Sequence, residues 1–219
     1  SLWIEIMKKD LSFQTKECTN KNCRFRFPLM ESEAVINTCP KCESPLKDIG
    51  IPYDRHSVQK EDPSPDSFEI HVLLDNIRSL YNVGSVFRTA ESVGVQKLHL
   101  CGMTTTPDNP RLAKTAIGAE ALVAWEYHNN GLDAAKMLQE QGFSLWAIEG
   151  GEEATPLFGL NISRDNQRIA LVIGNELAGI DPEIMEISER ILYIPMQGSK
   201  ESLNLTVAFG IAAYYLRYI

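Results

Sequence analysis

Four of the five cysteines fall close together, as Cys18-x4-Cys23-x15-Cys39-Pro-Lys-Cys42. Two close pairs of thiolates are a ligand set for a tetrahedral zinc ion, each pair forming one knuckle. The second pair has the usual two-residue spacer, and the first has the longer four-residue one. With every coordination position filled by protein, such an ion folds its segment and does not catalyse. A redox role for Cys39 and Cys42 would call for a thioredoxin-like βαβ setting, which this part of the sequence does not offer. Cys101 stands alone and reads as a buried apolar residue. Local clustering of this kind suits a metal site in a reducing cytoplasm and not a secreted disulfide scaffold. Between the pairs, Arg24, Phe25, Arg26 and Phe27 interleave charge with aromatic surface. That pattern suits stacking on and pairing with RNA, and equally a ribbon core flanked by solvated arginines.

Three further segments carry polar groups among glycines. Asn82 and Arg88 share a stretch of helical spacing in which Val83, Val86, Phe87 and Ala90 form an apolar face. Arg88 there needs a partner or a ligand. Gly174-Asn175-Glu176-Leu177-Ala178-Gly179 follows the apolar run of residues 169–173, so a carboxylate sits at the exit of a buried strand. Pro195 and Gly198 make a loop after a second buried strand, and Ser202 and Asn204 stand at the mouth of the last helix. Open α/β sheets bind ligands off the carboxyl ends of their strands, and helix mouths offer free backbone N–H groups. No Gly-x-Gly-x-x-Gly or Walker A loop is present, so a dinucleotide or P-loop site is not supported. His56, His71, His99 and His128 show no metal or triad spacing and receive no role.

The elements that must position these groups come from periodicity. Strands are expected over residues 68–74, 97–102, 143–148, 169–173 and 191–196, and helices over 81–93, 132–141 and 203–215. Gly142 reads as a helix C-cap and Asp181-Pro182 as an N-cap with proline at the first helical position. This alternation implies an α/β domain with a mostly parallel sheet. Residues 1–50 form the cysteine module, the proline-rich residues 51–67 a linker, and residues 68–219 the α/β domain. The chain has 219 residues and a net charge of -8, which argues mildly against a nucleic-acid partner. Residues 1–60, however, hold 10 basic and 8 acidic side chains, against 11 and 21 in residues 61–219, so the first module is the more basic part. No apolar run of about 18 residues suits a membrane span, and residues 1–10 do not read as a signal peptide.

Taken together and in this order, Asn82-x5-Arg88, Gly174-Asn-Glu176-x2-Gly179 and Ile194-Pro-Met196 through Ser202-Leu-Asn204 resemble the SpoU/TrmH family of SPOUT RNA methyltransferases. Lys114-Thr-Ala-x-Gly118-Ala-Glu120 also looks like this family, and the likeness covers about residues 68–219. The cysteine module lies outside it. The resemblance implies a parallel-sheet α/β knot, a trefoil-knotted SPOUT fold, here preceded by a small four-cysteine zinc ribbon. It further implies S-adenosylmethionine as cofactor, a tRNA or rRNA substrate methylated at a ribose 2′-oxygen, and a homodimer whose partner subunit completes each site. Catalysis is then expected of Arg88, Asn82, Glu176, Ser202 and Asn204. Cofactor contacts are expected at Ile148, Gly174, Asn175, Glu176, Gly179, Ile194, Met196 and Leu203, largely through backbone atoms. A SPOUT enzyme acting on a base nitrogen, and a non-catalytic RNA-binding protein of the same fold, are the alternatives.

Overall fold

The computed structural model describes residues 11–33, 36–54, 68–160, 168–199 and 202–218, in two compact units that divide between Asp62 and Pro63. Residues 1–10 and most of the expected linker lie outside the described residues. No helix among the described residues is long and apolar enough to cross a membrane.

The first unit is a three-stranded antiparallel sheet of β1 (Ser12–Cys18), β2 (Arg26–Met30) and β3 (Leu46–Asp54), with β1 in the middle. Strand β3 runs on through Asp54, into the first residues of the stretch expected as linker. Ser12 and Phe13 pair with Asp54 and Tyr53, and the Phe13 and Tyr53 rings stack at 5.9 Å. Pro52 is tolerated there because β3 is an edge strand, where a missing N–H breaks no interior ladder.

The second unit is an open sheet of seven strands in the order β6-β5-β4-β9-β7-β10-β8. They are β4 (Glu69–Asp75), β5 (Lys97–Cys101), β6 (Ala124–His128), β7 (Ser144–Ile148), β8 (Thr155–Pro156), β9 (Arg168–Ile173) and β10 (Arg190–Tyr193). Every pairing is parallel. Helices α1 (Leu80–Val93), α2 (Ala113–Ala116), α3 (Gly131–Glu140), α4 (Pro182–Ile187) and α5 (Leu205–Tyr218) complete it. Central strands β4 and β9 pair Ile70 with Ile169, Val72 with Leu171 and Leu74 with Ile173. Both are covered on both faces, which is why β9 reads as an apolar run and not as an alternation, while β4 keeps one buried polar side chain, His71, in its middle. One face carries Ile70, Val72, Leu74, Leu98 and Leu100 against Val83, Phe87, Phe209 and Leu216 of α1 and α5. The other carries Leu73, Cys101, Leu145 and Val172 against Ala134, Leu138 and Ile184 of α3 and α4. Each fully buried Phe or Leu contributes roughly 1.5–3 kcal/mol, so packing, and not surface charge, fixes these helices.

Local signals set the helix ends. Ser79 caps α1 by accepting from the Asn82 N–H, and Gly94 closes it at φ 72°. Asn130 caps α3 and Asp181 caps α4, with Pro182 opening the latter as expected. Gly142, at φ 85°, lies just beyond α3. Near its end, α5 is tied down by Arg217, whose guanidinium donates to the carbonyls of Val93 (2.9 Å), Phe68 (3.0 Å) and Gly94 (2.7 Å). Three differences from the expected elements bear on function. Strand β10 stops at Tyr193, leaving residues 194–196 free of the sheet. Helix α5 starts at Leu205, because Asn204 caps it through its side chain to the Thr206 N–H at 2.8 Å. Strand β6 was not expected at all, since its edge position leaves Ala124, Glu126 and Tyr127 exposed and no apolar alternation to read.

Candidate active site and metal centre

Strands β7, β9 and β10 all end at one side of the sheet, and the loops beyond them enclose a cavity of about 830 Å³. Ile148, Ile173, Ile194 and Leu203 provide apolar wall, while Asn82, Glu149, Glu176 and Asn204 provide polar groups. Gly174, Asn175, Gly179, Met196 and Ser202 also line it. A volume in this range, with apolar wall and a few converging polar groups, is that of a small-molecule site.

The loop from Gly174 to Gly179 closes on itself. Asn175 and Gly179 exchange two backbone hydrogen bonds, at 2.9 and 3.0 Å. A Cβ on Gly174 would lie 2.3 Å from the backbone of Gly179 and of Ile180, so only glycine permits this closure. The Asn175 side chain is committed to the loop: Oδ1 accepts from Leu177 and Ala178 N–H groups, and Nδ2 donates to the Asn76 carbonyl at 2.7 Å. Gly179 has φ 76°, and a Cβ there would meet Glu149 Oε2 at 2.7 Å.

Closure aims Glu176 at the start of α1. Its Oε2 accepts from the Arg78 N–H, and its Oε1 from the Ser79 N–H and from Asn82 Nδ2, each at 2.9 Å. Partial desolvation by the surrounding loops pushes this exposed carboxyl up, but the hydrogen bonds from Arg78, Ser79 and Asn82 outweigh it and hold the group below the usual carboxylate range. Asn82 Oδ1 in turn accepts from Asn204 Nδ2 at 3.5 Å. A continuous polar chain, Glu176 to Asn82 to Asn204, thus joins all three of the segments singled out in the sequence. Glu176 holds the loops and the mouth of α1. Arg88 is elsewhere: it is exposed and lines a separate hollow with Ser85, Thr89, Ser92 and Tyr214. Of the five residues expected to catalyse, four gather at the cavity and Arg88 does not, because it lies nearly two turns further along α1 than Asn82. Sequence reasoning missed Glu149, whose Oε1 accepts from the Gly150 N–H and Oε2 from the Ile180 N–H. Its position, directly after β7, was the available signal.

In the first unit the four cysteine sulfurs lie within 4.8 Å of one another. Cys18 to Cys42 is 3.4 Å and Cys23 to Cys39 is 3.8 Å. Four sulfurs about 2.3 Å from a tetrahedral zinc are about 3.8 Å apart, so the cluster fits the ion. The two knuckles share a form: the residue after each pair, Arg24 and Glu43, has positive φ of 47° and 61°. The Lys41 N–H points to Cys39 Sγ at 3.4 Å. Hydrogen bonds from the Ser44 side chain and backbone draw the Cys42 thiol down to about 6, toward the thiolate a metal requires. Burial pushes Cys18 up to about 12, a cost that an ion would offset.

A parallel α/β sheet with a ligand-sized cavity off its strand ends is the frame of a small-molecule-binding α/β enzyme. The SpoU rRNA Methylase family profile matches residues 69–214, and the chain belongs to that family. It is 27% identical over 146 residues to the tRNA (guanosine(18)-2′-O)-methyltransferase of Thermus thermophilus, covering 67% of this chain and 73% of the relative. The enzyme of that description from Aquifex aeolicus is 30% identical, with 67% of each chain covered. The 23S rRNA (guanosine(2553)-2′-O)-methyltransferase of Bacillus subtilis is 28% identical over 67% of this chain and 57% of its own. Among solved structures, the AdoMet-bound rRNA methyltransferase of Sinorhizobium meliloti superposes with a TM-score of 0.63 at 25% identity, over 73% of this chain and 61% of that one. The A. aeolicus TrmH/SpoU tRNA modifying enzyme superposes with a TM-score of 0.60 at 28% identity, over 68% and 74%. The cysteine unit falls outside the family match.

Proposed function

We infer that this chain is an S-adenosylmethionine-dependent RNA 2′-O-ribose methyltransferase acting on tRNA or rRNA. The polar chain from Glu176 through Asn82 to Asn204, at the rim of an apolar-walled cavity, carries this reading. The cofactor supplies an electrophilic methyl on a sulfonium. Ile148, Ile173, Ile194 and Leu203 offer a dry slot for its apolar and aromatic parts, and Glu149 and Glu176 offer carboxylates near a cation. Asn82, Ser202 and Asn204 would orient the nucleotide, and the apolar walls would limit the approach of water to the methyl group.

Arg88 is assigned the RNA phosphate and the developing alkoxide, because a guanidinium keeps its proton and stabilises negative charge. Its place outside the cavity supports a homodimer in which one copy's Arg88 serves its partner's cavity. The trefoil path of the family belongs to the same reading. In the first unit, Cys18, Cys23, Cys39 and Cys42 hold a structural zinc ion, and exposed Arg24, Phe25 and Arg26 offer RNA both charge and stacking surface.

The test is transfer of labelled methyl from S-adenosylmethionine to RNA from unmodified cells, followed by nucleoside mass spectrometry. A 2′-O-methylated nucleoside is expected. A methylated base would move the chain to the base-nitrogen branch, and absence of both transfer and cofactor binding would leave a non-catalytic RNA-binding protein.

A further inference from the structure

Three histidines of the second unit's sheet, His71, His99 and His128, lie in one row. Parallel register sets His99 beside Glu126, Leu73 beside His99 and Cys101 beside His128. His71 Nδ1 is 3.1 Å from His99 Nε2, and His99 Nδ1 is 3.0 Å from His128 Nε2. His71 and His99 are buried, while His128 is half-buried and Glu126 exposed at the edge.

The far end of the row decides where the protons sit. His71 Nε2 faces Glu69 Oε1 at 3.6 Å, and Arg168 holds Glu69 through Nε at 2.8 Å and Nη2 at 3.2 Å. A carboxylate favours an N–H and repels a lone pair, so His71 carries its proton on Nε2 and accepts at Nδ1. His99 must then donate from Nε2, which leaves the Nδ1 lone pair directed toward His128 and Glu126. One ligating atom each of His99, Glu126 and His128 lies within 4.8 Å of the other two.

We propose that His99 Nδ1, His128 Nε2 and a Glu126 carboxylate oxygen form a second metal site, for zinc or a similar imidazole-favouring divalent ion. Two imidazoles and a carboxylate suit that class. The row beyond His99 is the outer support such sites use: a ligating histidine gives its other N–H to a partner that fixes its tautomer and orientation. Here His71 takes that proton, and Glu69 with Arg168 anchors His71. Two nitrogens on a tetrahedral zinc stand about 3.4 Å apart, against 3.0 Å between His99 Nδ1 and His128 Nε2 here, so an incoming ion replaces the proton they share and turns the His128 ring outward. Lys97 holds Glu126 Oε2 at 2.6 Å and is the cation an incoming ion competes with. Three protein ligands leave a tetrahedral ion one open position. The site ties edge strand β6 to β5, several strands away from the cavity.

Equilibrium dialysis of the full chain against micromolar zinc, with metal content by mass spectrometry, tests this. The wild type is expected to hold one more zinc per chain than His128→Ala or Glu126→Gln, whatever the cysteine unit holds. Equal content in all three proteins would overturn the site. Cobalt gives an independent readout: a component free of thiolate charge transfer is expected in the wild type and absent from both variants, and a spectrum shared by all three also counts against it. Glu69→Gln, which touches no proposed ligand, is expected to weaken the extra site about tenfold or more. Unchanged affinity in that variant would remove the tautomer argument on which the proposal stands.

Discussion

Replacing Glu176 by glutamine isolates the contact that links the Gly174–Gly179 loop to α1. The carboxylate accepts three hydrogen bonds at 2.9 Å, from the Arg78 and Ser79 N–H groups and from Asn82 Nδ2. Glutamine keeps one acceptor oxygen and turns an NH2 against at least one backbone N–H. Charge-assisted hydrogen bonds contribute about 1.5–3 kcal/mol each when buried. Glu176 is exposed, and water replaces much of what is lost, so the whole change should cost about 1–2 kcal/mol. For a chain of this length that lowers the melting temperature by about 2–8 °C. The consequence for transfer is larger, because Asn82 loses its anchor: a misplacement of about 1 Å can cost about 100-fold in rate. The pH dependence follows from the sign of the shift. The folded carboxyl lies below its unfolded value of about 4.3, so its stabilisation is present above that pH and is lost as pH falls through the folded value. The wild type should therefore lead Glu176→Gln in thermal unfolding near neutrality, and the gap should close on acidification below about pH 4.3. A gap that stays constant through the acid range, or full transfer activity in the variant, would refute the reasoning.

Other outcomes follow from single contacts. Gly174→Ala puts a Cβ 2.3 Å from backbone atoms that cannot yield, so calorimetry should show S-adenosylmethionine binding lost while the sheet's circular dichroism persists. Arg88→Ala, being outside the cavity, should leave cofactor affinity nearly intact and abolish methyl transfer; loss of cofactor binding would contradict its assigned role. Arg217→Met removes three bonds to carbonyls at the end of α1 and the entry to β4 and should cost about 2–4 kcal/mol in urea unfolding. Chelation of zinc should unfold the cysteine unit, detected as loss of amide protection in residues 12–54, while protection in the second unit's central strands remains.

The sequence itself carried much of this protein. Apolar runs marked β7 and β9, because strands covered on both faces need apolar residues at nearly every position. Asp181-Pro182 marked the start of α4, since capping is chemistry between near neighbours. The cysteine spacing marked the four-sulfur cluster for the same reason, as each knuckle is a local turn. The three polar segments announced a site because each sits at a strand or helix end. Their mutual arrangement was not legible. That Glu176 reaches the backbone of Arg78 and Ser79, 98 and 97 residues away, depends on β9 lying beside β4. That Arg88 leaves the cavity depends on which side of α1 packs on the sheet. The histidine row shows the limit most clearly. His71, His99 and His128 are separated by 28 and 29 residues and have no spacing signal, and β6 itself was invisible because an edge strand needs little apolar surface. Periodicity determines which way a side chain faces within its own strand, but only the parallel register, set by packing across the whole sheet, decides which distant side chains become neighbours.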